Sequence, residues 1–176
     1  SAGIRTASGT TTFNNLPGGL FDIQTAGTWD VCCSGGSVVF SNQAGATLTT
    51  SVAGTSIWTN GVVLYNSGTL NVNAGTFQLS GGGTLLGAVT IAAGATLDLN
   101  STFALPAALS VAGTGTLQVS NGTLALGGNR LDVAGAFTTM ATGTLTMTNP
   151  LDTMVIGGNA TFTGGPAIGL LTNGYL

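Results

Sequence analysis

Short apolar segments return about every 20 residues along this chain, and a threonine precedes each of them. Gly75-Thr76-Phe77-Gln78-Leu79, Ala95-Thr96-Leu97-Asp98-Leu99 and Gly115-Thr116-Leu117-Gln118-Val119 follow one another at a constant step. A period of this size is typical of solenoids, in which one repeat forms one turn and neighbouring turns bury each other's apolar face. The sequence therefore predicts a stack of turns.

Each turn is predicted to contain three short strands. One repeat holds apolar-x-apolar segments at 117–119, 124–126 and 131–133, and the preceding repeat holds them at 97–99, 103–105 and 109–111. Alternate side chains of a strand point to opposite faces, and the Gly-rich segments between the strands provide tight corners. We therefore predict an all-β fold, a right-handed parallel β-helix (β-solenoid) with three strands in each turn of about 20 residues.

Two other folds agree less well with the sequence. Thirty glycines and four prolines oppose long helices, and no window shows a helical apolar stripe. A β-sandwich or barrel also uses many short strands with Gly-rich turns and stays as the alternative. Its strands usually run longer and do not repeat one short motif at constant spacing.

Composition limits the possible partners. Lys, Glu and His are absent, and the charged residues are Arg5, Arg130, Asp22, Asp30, Asp98, Asp132 and Asp152. So few basic residues argue against nucleic acid, whose binding requires Lys and Arg to displace counterions. No apolar run reaches the roughly 18 to 20 residues that span a bilayer. We expect neither a nucleic-acid partner nor a membrane-spanning segment, and little electrostatic protection against self-association.

The whole chain, 1–176, is predicted to be a single β-solenoid. Residues 67–176 carry the regular turns, whereas 1–66 are less regular and richer in aromatic residues, which indicates aromatic-filled turns or a cap on the same stack. The chain begins without Met, and 169–176 resembles the opening of another turn. We expect its partners to be further turns of its own parent chain or identical subunits, end to end.

Several repeats resemble those of bacterial surface proteins. Gly68-Thr69-Leu70-Asn71-Val72 and the equivalent unit at 115–119 look like repeats of bacterial surface β-helices. The segment 159–165, Asn-Ala-Thr-Phe-Thr-Gly-Gly, is similar to the Asn-Thr-Tyr-Thr-Gly-Gly segment of autotransporter-associated repeats, with one extra residue and Phe for Tyr. The resemblance is to autotransporter-associated and filamentous-haemagglutinin-like adhesin passengers. It implies a secreted or cell-surface stalk or adhesin and no catalytic residue.

No residue set predicts catalysis, a cofactor or a metal. The aspartates are isolated, with Asp98 and Asp132 on outward strand positions, whereas carbohydrate-cleaving enzymes need paired carboxylates. The calcium-binding Gly-Gly-x-Gly-x-Asp repeat is missing. We therefore expect the chain not to be an enzyme. Cys32 and Cys33 are interpreted as one surface and one core thiol, with an intermolecular bond through Cys32 or a vicinal bond as alternatives.

Outward threonines are the candidate surface ladder. Six of them stand just before the first inward residue of a strand: Thr69, Thr76, Thr96, Thr116, Thr123 and Thr144. β-propensity and cross-strand hydroxyl pairs explain such threonines without any ligand. An ice-binding plane would require a second threonine two residues on, and Thr146 is the one match. Asn100, Asn121 and Asn159 begin Asn-x-Thr sequons and are expected to be corner residues whose amides satisfy backbone groups.

The function that these observations favour is that of a non-enzymatic structural solenoid in an extracellular bacterial fibre or adhesin. It would act as a rigid stalk and as a surface for self-association or adhesion to a host or abiotic surface. The alternative is a β-helical binding module, for ice through a Thr-rich face or for glycans through a groove lined by exposed Trp or Tyr.

Overall fold

The chain forms a β-solenoid in a computed structural model that describes residues 2–5, 9–32, 36–163 and 168–169. Parallel strands stack in about six turns, with equivalent residues roughly 22 positions apart. The described residues form strands and no helix. They therefore include no helix that is long and apolar enough to cross a membrane. The predicted parallel β-solenoid is confirmed.

Seven layers of strands can be followed along the chain, and about six turns lead from the first layer to the seventh. They are β1 (Ala2–Arg5), β2 (Thr10–Asn15) and β3 (Leu20–Ile23); β4 (Gly27–Cys32), β5 (Ser37–Asn42) and β6 (Thr47–Thr50); β7 (Thr55–Trp58), β8 (Val62–Asn66) and β9 (Thr69–Val72); β10 (Thr76–Leu79), β11 (Gly83–Leu85) and β12 (Val89–Ile91); β13 (Thr96–Leu99), β14 (Phe103–Ala104) and β15 (Leu109–Ala112); β16 (Thr116–Ala125) and β17 (Arg130–Val133); β18 (Ala136–Thr146) and β19 (Thr153–Ile156). β20 (Ala160–Phe162) and β21 (Ile168–Gly169) pair with β18 beyond the seventh layer.

The strands form three faces, and all recorded pairings are parallel. Face 1 contains β1, β4, β7, β10, β13, the first halves of β16 and β18, and β20. Face 2 contains β2, β5, β8, β11, β14, the second halves of β16 and β18, and β21. Face 3 is the seven-stranded sheet from β3 to β19. We call the bend between faces 1 and 2 corner 1, and the bend between faces 2 and 3 corner 2.

The register of face 1 explains the sequence period. Phe77 pairs with Leu97, Leu97 with Leu117, and Leu117 with Phe137, so each step is 20 residues. One detail differs from the prediction, because 117–119 and 124–126 are not separate strands. β16 continues round corner 1 as a single strand, with a register shift between Val119 and Asn121 relative to β18. Such a bulge bends a strand without ending it.

The core is a set of apolar ladders that run through the stack. Leu97, Leu117 and Leu131 are 0% exposed and Leu109 is 4% exposed, which confirms the predicted inward positions. Neighbouring strands lie about 4.8 Å apart, so side chains in one ladder are in contact along its length. Each layer therefore buries the apolar face of the next.

The strands of the first three layers pair into the same sheets, but their interior is aromatic. Phe13 stacks on Phe40, with ring centroids 5.0 Å apart, and Phe21 meets Phe40 edge to face at 4.9 Å. The ring centroid of Trp58 lies 4.8 Å from that of Phe40 and 5.1 Å from that of Phe77. The more aliphatic part of the core begins at Phe77. The rings of Phe40, Trp58 and Phe77 thus form a continuous contact between the early and the later layers.

Glycine is required where corners of successive layers approach each other. A Cβ on Gly81 would overlap the carbonyl oxygen of Val62, and one on Gly143 would overlap that of Val119. Only glycine allows backbone to pass this close to backbone. These residues set the closeness of the layers at corner 1.

Candidate functional site: the outward polar surface

Three of the six candidate threonines form one ladder on face 1. Thr76 pairs with Thr96, and Thr96 pairs with Thr116, at the spacing of about 4.8 Å that separates neighbouring strands. Thr55 precedes Thr76 in the same column, and Ala136 follows Thr116. The column thus holds four consecutive threonines, of which the sequence pattern identified three.

The other three candidate threonines lie on different faces. Thr123 pairs with Thr144 on face 2, whereas Thr69 pairs with Thr47 on face 3. The sequence pattern selects the residue just before the first inward position of a strand. Because that position recurs on all three faces, the motif gathered residues that the fold separates.

A second outward column runs beside the threonines of face 1. Gln78 pairs with Asp98, Asp98 with Gln118, and Gln118 with Thr138. Face 1 therefore presents one column of hydroxyls and one of mainly amide and carboxylate groups. Its polar groups repeat once per layer.

Asp98 is the unusual member of this column. It points outward, as the sequence indicated, yet it is only 5% exposed. Gln78 and Gln118 flank it one strand away on either side, and long side chains at that distance shield a shorter one. The Oδ1 atom of Asp98 is buried and has no hydrogen-bond partner within the described part of the chain.

Two aspartates connect neighbouring layers near the beginning of the stack. Asp22 accepts a hydrogen bond from the hydroxyl of Ser51 at 3.1 Å, and Asp30 accepts one from the hydroxyl of Thr59 at 2.9 Å. In both pairs the donor belongs to the next layer. The two carboxylates therefore link neighbouring turns by side-chain hydrogen bonds.

The remaining aspartates are also occupied by local contacts. Asp152, 2% exposed, accepts hydrogen bonds from the backbone N–H groups of Gly128 at 2.6 Å and Asn149 at 2.9 Å. Asp132 forms an ion pair with Arg130 at 2.8 Å, and this hydrogen bond and charge raise the pKa of Arg130. No group of three or more His, Cys, Asp or Glu among the described residues could hold a metal ion.

Exposed aromatic side chains do not form a row in the described ranges. Trp58 is fully buried, and Trp29 packs against the core. Tyr65 is 45% exposed on face 2, where its neighbours in the outward column are Ser41 and Thr84. Face 2 thus offers a single aromatic side chain at this point, not the aromatic groove considered for glycans.

A ladder of buried asparagines at corner 2 was missed by the sequence analysis. The Nδ2 group of Asn15 donates to Oδ1 of Asn42 at 2.9 Å, and Nδ2 of Asn42 donates to Oδ1 of Asn66 at 2.7 Å. The same groups also donate to the backbone oxygens of Thr47 at 2.8 Å and Thr69 at 2.9 Å. We call these three residues the asparagine ladder. Its signal in the sequence is an apolar-x-Asn segment that ends each of three face 2 strands.

A shallow polar groove of about 300 Å³ runs along corner 1. Its lining comes from four successive layers: Asn60, Ser80, Gly81, Asn100, Ser101, Thr102, Asn121 and Gly122. Of the sequon asparagines, Asn100 donates to the hydroxyl of Ser80 at 3.3 Å, a side chain rather than the expected backbone group. The amides that do satisfy backbone groups include those of the asparagine ladder.

No protein-family model, no curated protein and no solved structure matches the chain. Cys32 ends β4, but the side chains of Cys32 and Cys33 lie outside the described part of the structure, so the intermolecular thiol stays a prediction.

Proposed function

We propose that this chain is a non-enzymatic structural segment of an extracellular bacterial fibre or adhesin. Its stacked turns form a rigid stalk, and its polar faces serve self-association or adhesion. The resemblance of the repeats to those of bacterial surface proteins supports this mechanical role. The observation that carries it is the unbroken stack, in which every strand from β4 to β17 pairs with a strand on both sides.

Such a stack gains rigidity with length. Each layer contacts only its neighbours, so the total stability is approximately a sum of layer and interface contributions. Hydrogen bonds between side chains add to the backbone ladders at several levels, as in the asparagine ladder and the Asp22–Ser51 and Asp30–Thr59 contacts. A rod built in this way resists local opening along its whole length.

The chemistry of the polar side chains also supports a structural role. The carboxylates of Asp22, Asp30, Asp132 and Asp152 accept hydrogen bonds from other residues of the stack. General acid–base catalysis needs a pair of groups that face a common substrate with distinct proton affinities. The carboxylates of Asp22, Asp30 and Asp152, which lie apart from one another on the rod, support cohesion between layers instead.

The partners proposed for this stalk are further turns of its parent chain or identical subunits end to end. A host or abiotic surface is the proposed target of the faces. With a formal net charge of −3 and 4% charged residues, the chain has few charged side chains to place on its surface. Such a surface offers little repulsion to a neighbouring copy.

Location is the direct test of the proposal. Antibodies against the folded chain should label intact cells of the organism that encodes it, with no increase after permeabilisation. A cytoplasmic protein retained in the same cells serves as the control for cell integrity. Labelling that requires permeabilisation would contradict the extracellular role.

Ice binding is the second candidate, and the four-threonine column of face 1 is what favours it. The adjacent column carries Gln78, Asp98 and Gln118 where a two-column threonine grid would need hydroxyls, which places this candidate second. The test is thermal hysteresis of the purified chain. Activity that is lost in Thr96→Tyr and kept in Thr123→Tyr, on face 2, would support it; absence of hysteresis would eliminate it.

A further inference from the structure

The groove at corner 1 differs from corner 2 in how its amides are used. At corner 2 the asparagine ladder bonds between layers, and at the bend between faces 3 and 1 the Nδ2 group of Asn73 donates to the hydroxyl of Thr49 at 3.0 Å. By contrast, the side chains of Asn60 and Asn121 form no hydrogen bond to another described residue. Both amides are exposed and face solvent.

Two of the three hydroxyls of the groove are also uncommitted. The side chains of Ser101 and Thr102 form no hydrogen bond within the described residues, whereas Ser80 accepts one from Asn100. A neutral hydrogen bond contributes only modestly to stability, but donors and acceptors left free in a concave site can bind a ligand that carries complementary groups. The groove therefore concentrates free hydrogen-bonding capacity on one edge of the rod.

Two glycines allow the layers that line the groove to lie close together. A Cβ on Gly122 would crowd the backbone of Ser101, and a Cβ on Gly81 would overlap the carbonyl oxygen of Val62. A side chain at either position would therefore push the layers of the groove apart.

We propose that this groove binds a neutral, extended oligosaccharide that lies parallel to the solenoid axis. The lining contains amides, hydroxyls and backbone and no charged or aromatic side chain, so it suits a ligand that is uncharged and rich in hydroxyls. Its polar groups recur once per layer, about every 4.8 Å. One ring of an extended β-linked sugar chain has nearly that length, so a chain lying along the groove meets a polar side chain of a new layer at about each ring: Asn60, Ser80, Asn100 and Asn121 in order.

The chemistry also sets the strength of the interaction. Aromatic stacking is missing from the groove, and hydrogen bonds to a hydrated sugar replace bonds to water with little net gain. A single groove is expected to bind with a dissociation constant of about 1 mM. Grooves repeated along a fibre would reach useful avidity because neighbouring sites raise the effective concentration of the same polymer. Binding to the single chain does not depend on the stalk function and can fail or succeed separately from it.

The test is an NMR titration of the ¹⁵N-labelled chain with cellohexaose. α-Cyclodextrin is the matched probe, because it offers similar hydroxyls in a ring that cannot lie extended along the groove. We expect saturable shifts of the backbone signals of Gly81, Gly122 and their neighbours with cellohexaose only. The absence of saturable shifts at corner 1, or equal shifts with both sugars, would overturn the proposal. The groove would then be a surface that binds only water.

Variants locate the interaction. Asn121→Ala and Asn60→Ala each remove one free amide and should weaken cellohexaose binding roughly three- to tenfold. Asn73→Ala, which removes a corner amide outside the groove, should leave the affinity unchanged. If all three variants bind like the original chain, the sugar does not use this groove. Circular dichroism melts of each variant separate loss of binding from loss of folding.

Discussion

The column of inward residues at corner 2 is polar in the first three layers and apolar in the next four. Its members in chain order are Asn15, Asn42, Asn66, Leu85, Leu105, Leu126 and Met147, and all of them are buried. The backbone follows the same path in both regions. A solenoid can therefore place amides in its interior, provided that each amide finds its partner in the adjacent layer.

The junction between the two regions shows how the ladder ends. Asn42 bonds to Asn66 at 2.7 Å, but the next residue in the column is Leu85, which offers no acceptor. The Nδ2 group of Asn66 instead donates to the backbone oxygen of Gly68 at 3.3 Å, within its own layer. The last amide is satisfied locally by a longer bond. The apolar ladder can then begin while the last amide nitrogen still donates a hydrogen bond.

The largest effect is expected where the apolar interior receives a charge. Leu117→Asp places a carboxylate among fully buried leucines, and an unpaired buried charge costs several kcal/mol, enough to abolish folding. Ala104→Asp, on the exposed outward side of face 2, is the matched control. Circular dichroism should show no cooperative melt for the first and a near-normal melt for the second. A wild-type melt for Leu117→Asp would show that the ladder assignment is wrong.

The second-largest effect is expected when leucine is replaced by asparagine at corner 2, and its size should differ between two adjacent layers. Leu105→Asn buries an amide between aliphatic neighbours and should cost about 2–4 kcal/mol. Leu85→Asn extends the asparagine ladder, because its Oδ1 can accept the hydrogen bond that Asn66 now makes within its own layer, so its cost should be smaller by about 1–3 kcal/mol. Denaturant unfolding measures both. Equal costs would mean that the ladder does not stabilise an added member.

Interrupting the asparagine ladder should have a moderate effect. Asn42→Leu leaves Oδ1 of Asn66 and the backbone oxygen of Thr69 without their donor, at an expected cost of about 1–3 kcal/mol. Asn15→Leu, at the end of the ladder and 7% exposed, should cost less because water can reach the groups it leaves free. The order of the two midpoints in urea is the measurement, and the reverse order would contradict a cooperative ladder.

The smallest effect is a gain of stability. Thr50 in the second layer and Thr139 in the seventh are 0% exposed, and the hydroxyl of each has no hydrogen-bond partner within the described residues. Their neighbours in the ladders include Val72 and Val119. Thr50→Val and Thr139→Val should each raise stability by about 0.5–1 kcal/mol, because the shape is kept and an unpaired polar group is removed. A fall in melting temperature in either variant would reveal a hidden partner of that hydroxyl.

The regular part of the fold could be predicted because period and burial coincide there. Leu97 and Leu117 stand one turn apart in both sequence and space. The asparagine ladder was missed because its members are 27 and 24 residues apart, so they do not share the constant step of the later turns. Because the early layers differ in length, the sequence spacing does not show that the three asparagines lie in one column; the strand register does.

The candidate surface was predicted less well, for a geometrical reason. A one-dimensional motif identifies the outward threonines but cannot assign Thr69 and Thr123 to different faces. The burial of Asp98 depends on Gln78 and Gln118, which come from other layers. Likewise, Asn60 and Asn121 carry the same Asn-Gly turn signal as any surface turn. Their freedom from internal hydrogen bonds becomes visible only once the layers are stacked.

The close approach of layers at Gly81 and Gly143 has a consequence for how such a chain changes over generations. Replacement of either residue by any other amino acid would force two turns apart, so point mutation at these corners is strongly restricted. Copying a whole turn, with its glycines in place, repeats a contact that already fits and disturbs only the two layers beside the insertion. Lineages carrying this architecture should therefore differ more readily in the number of turns than in the residues at their corners.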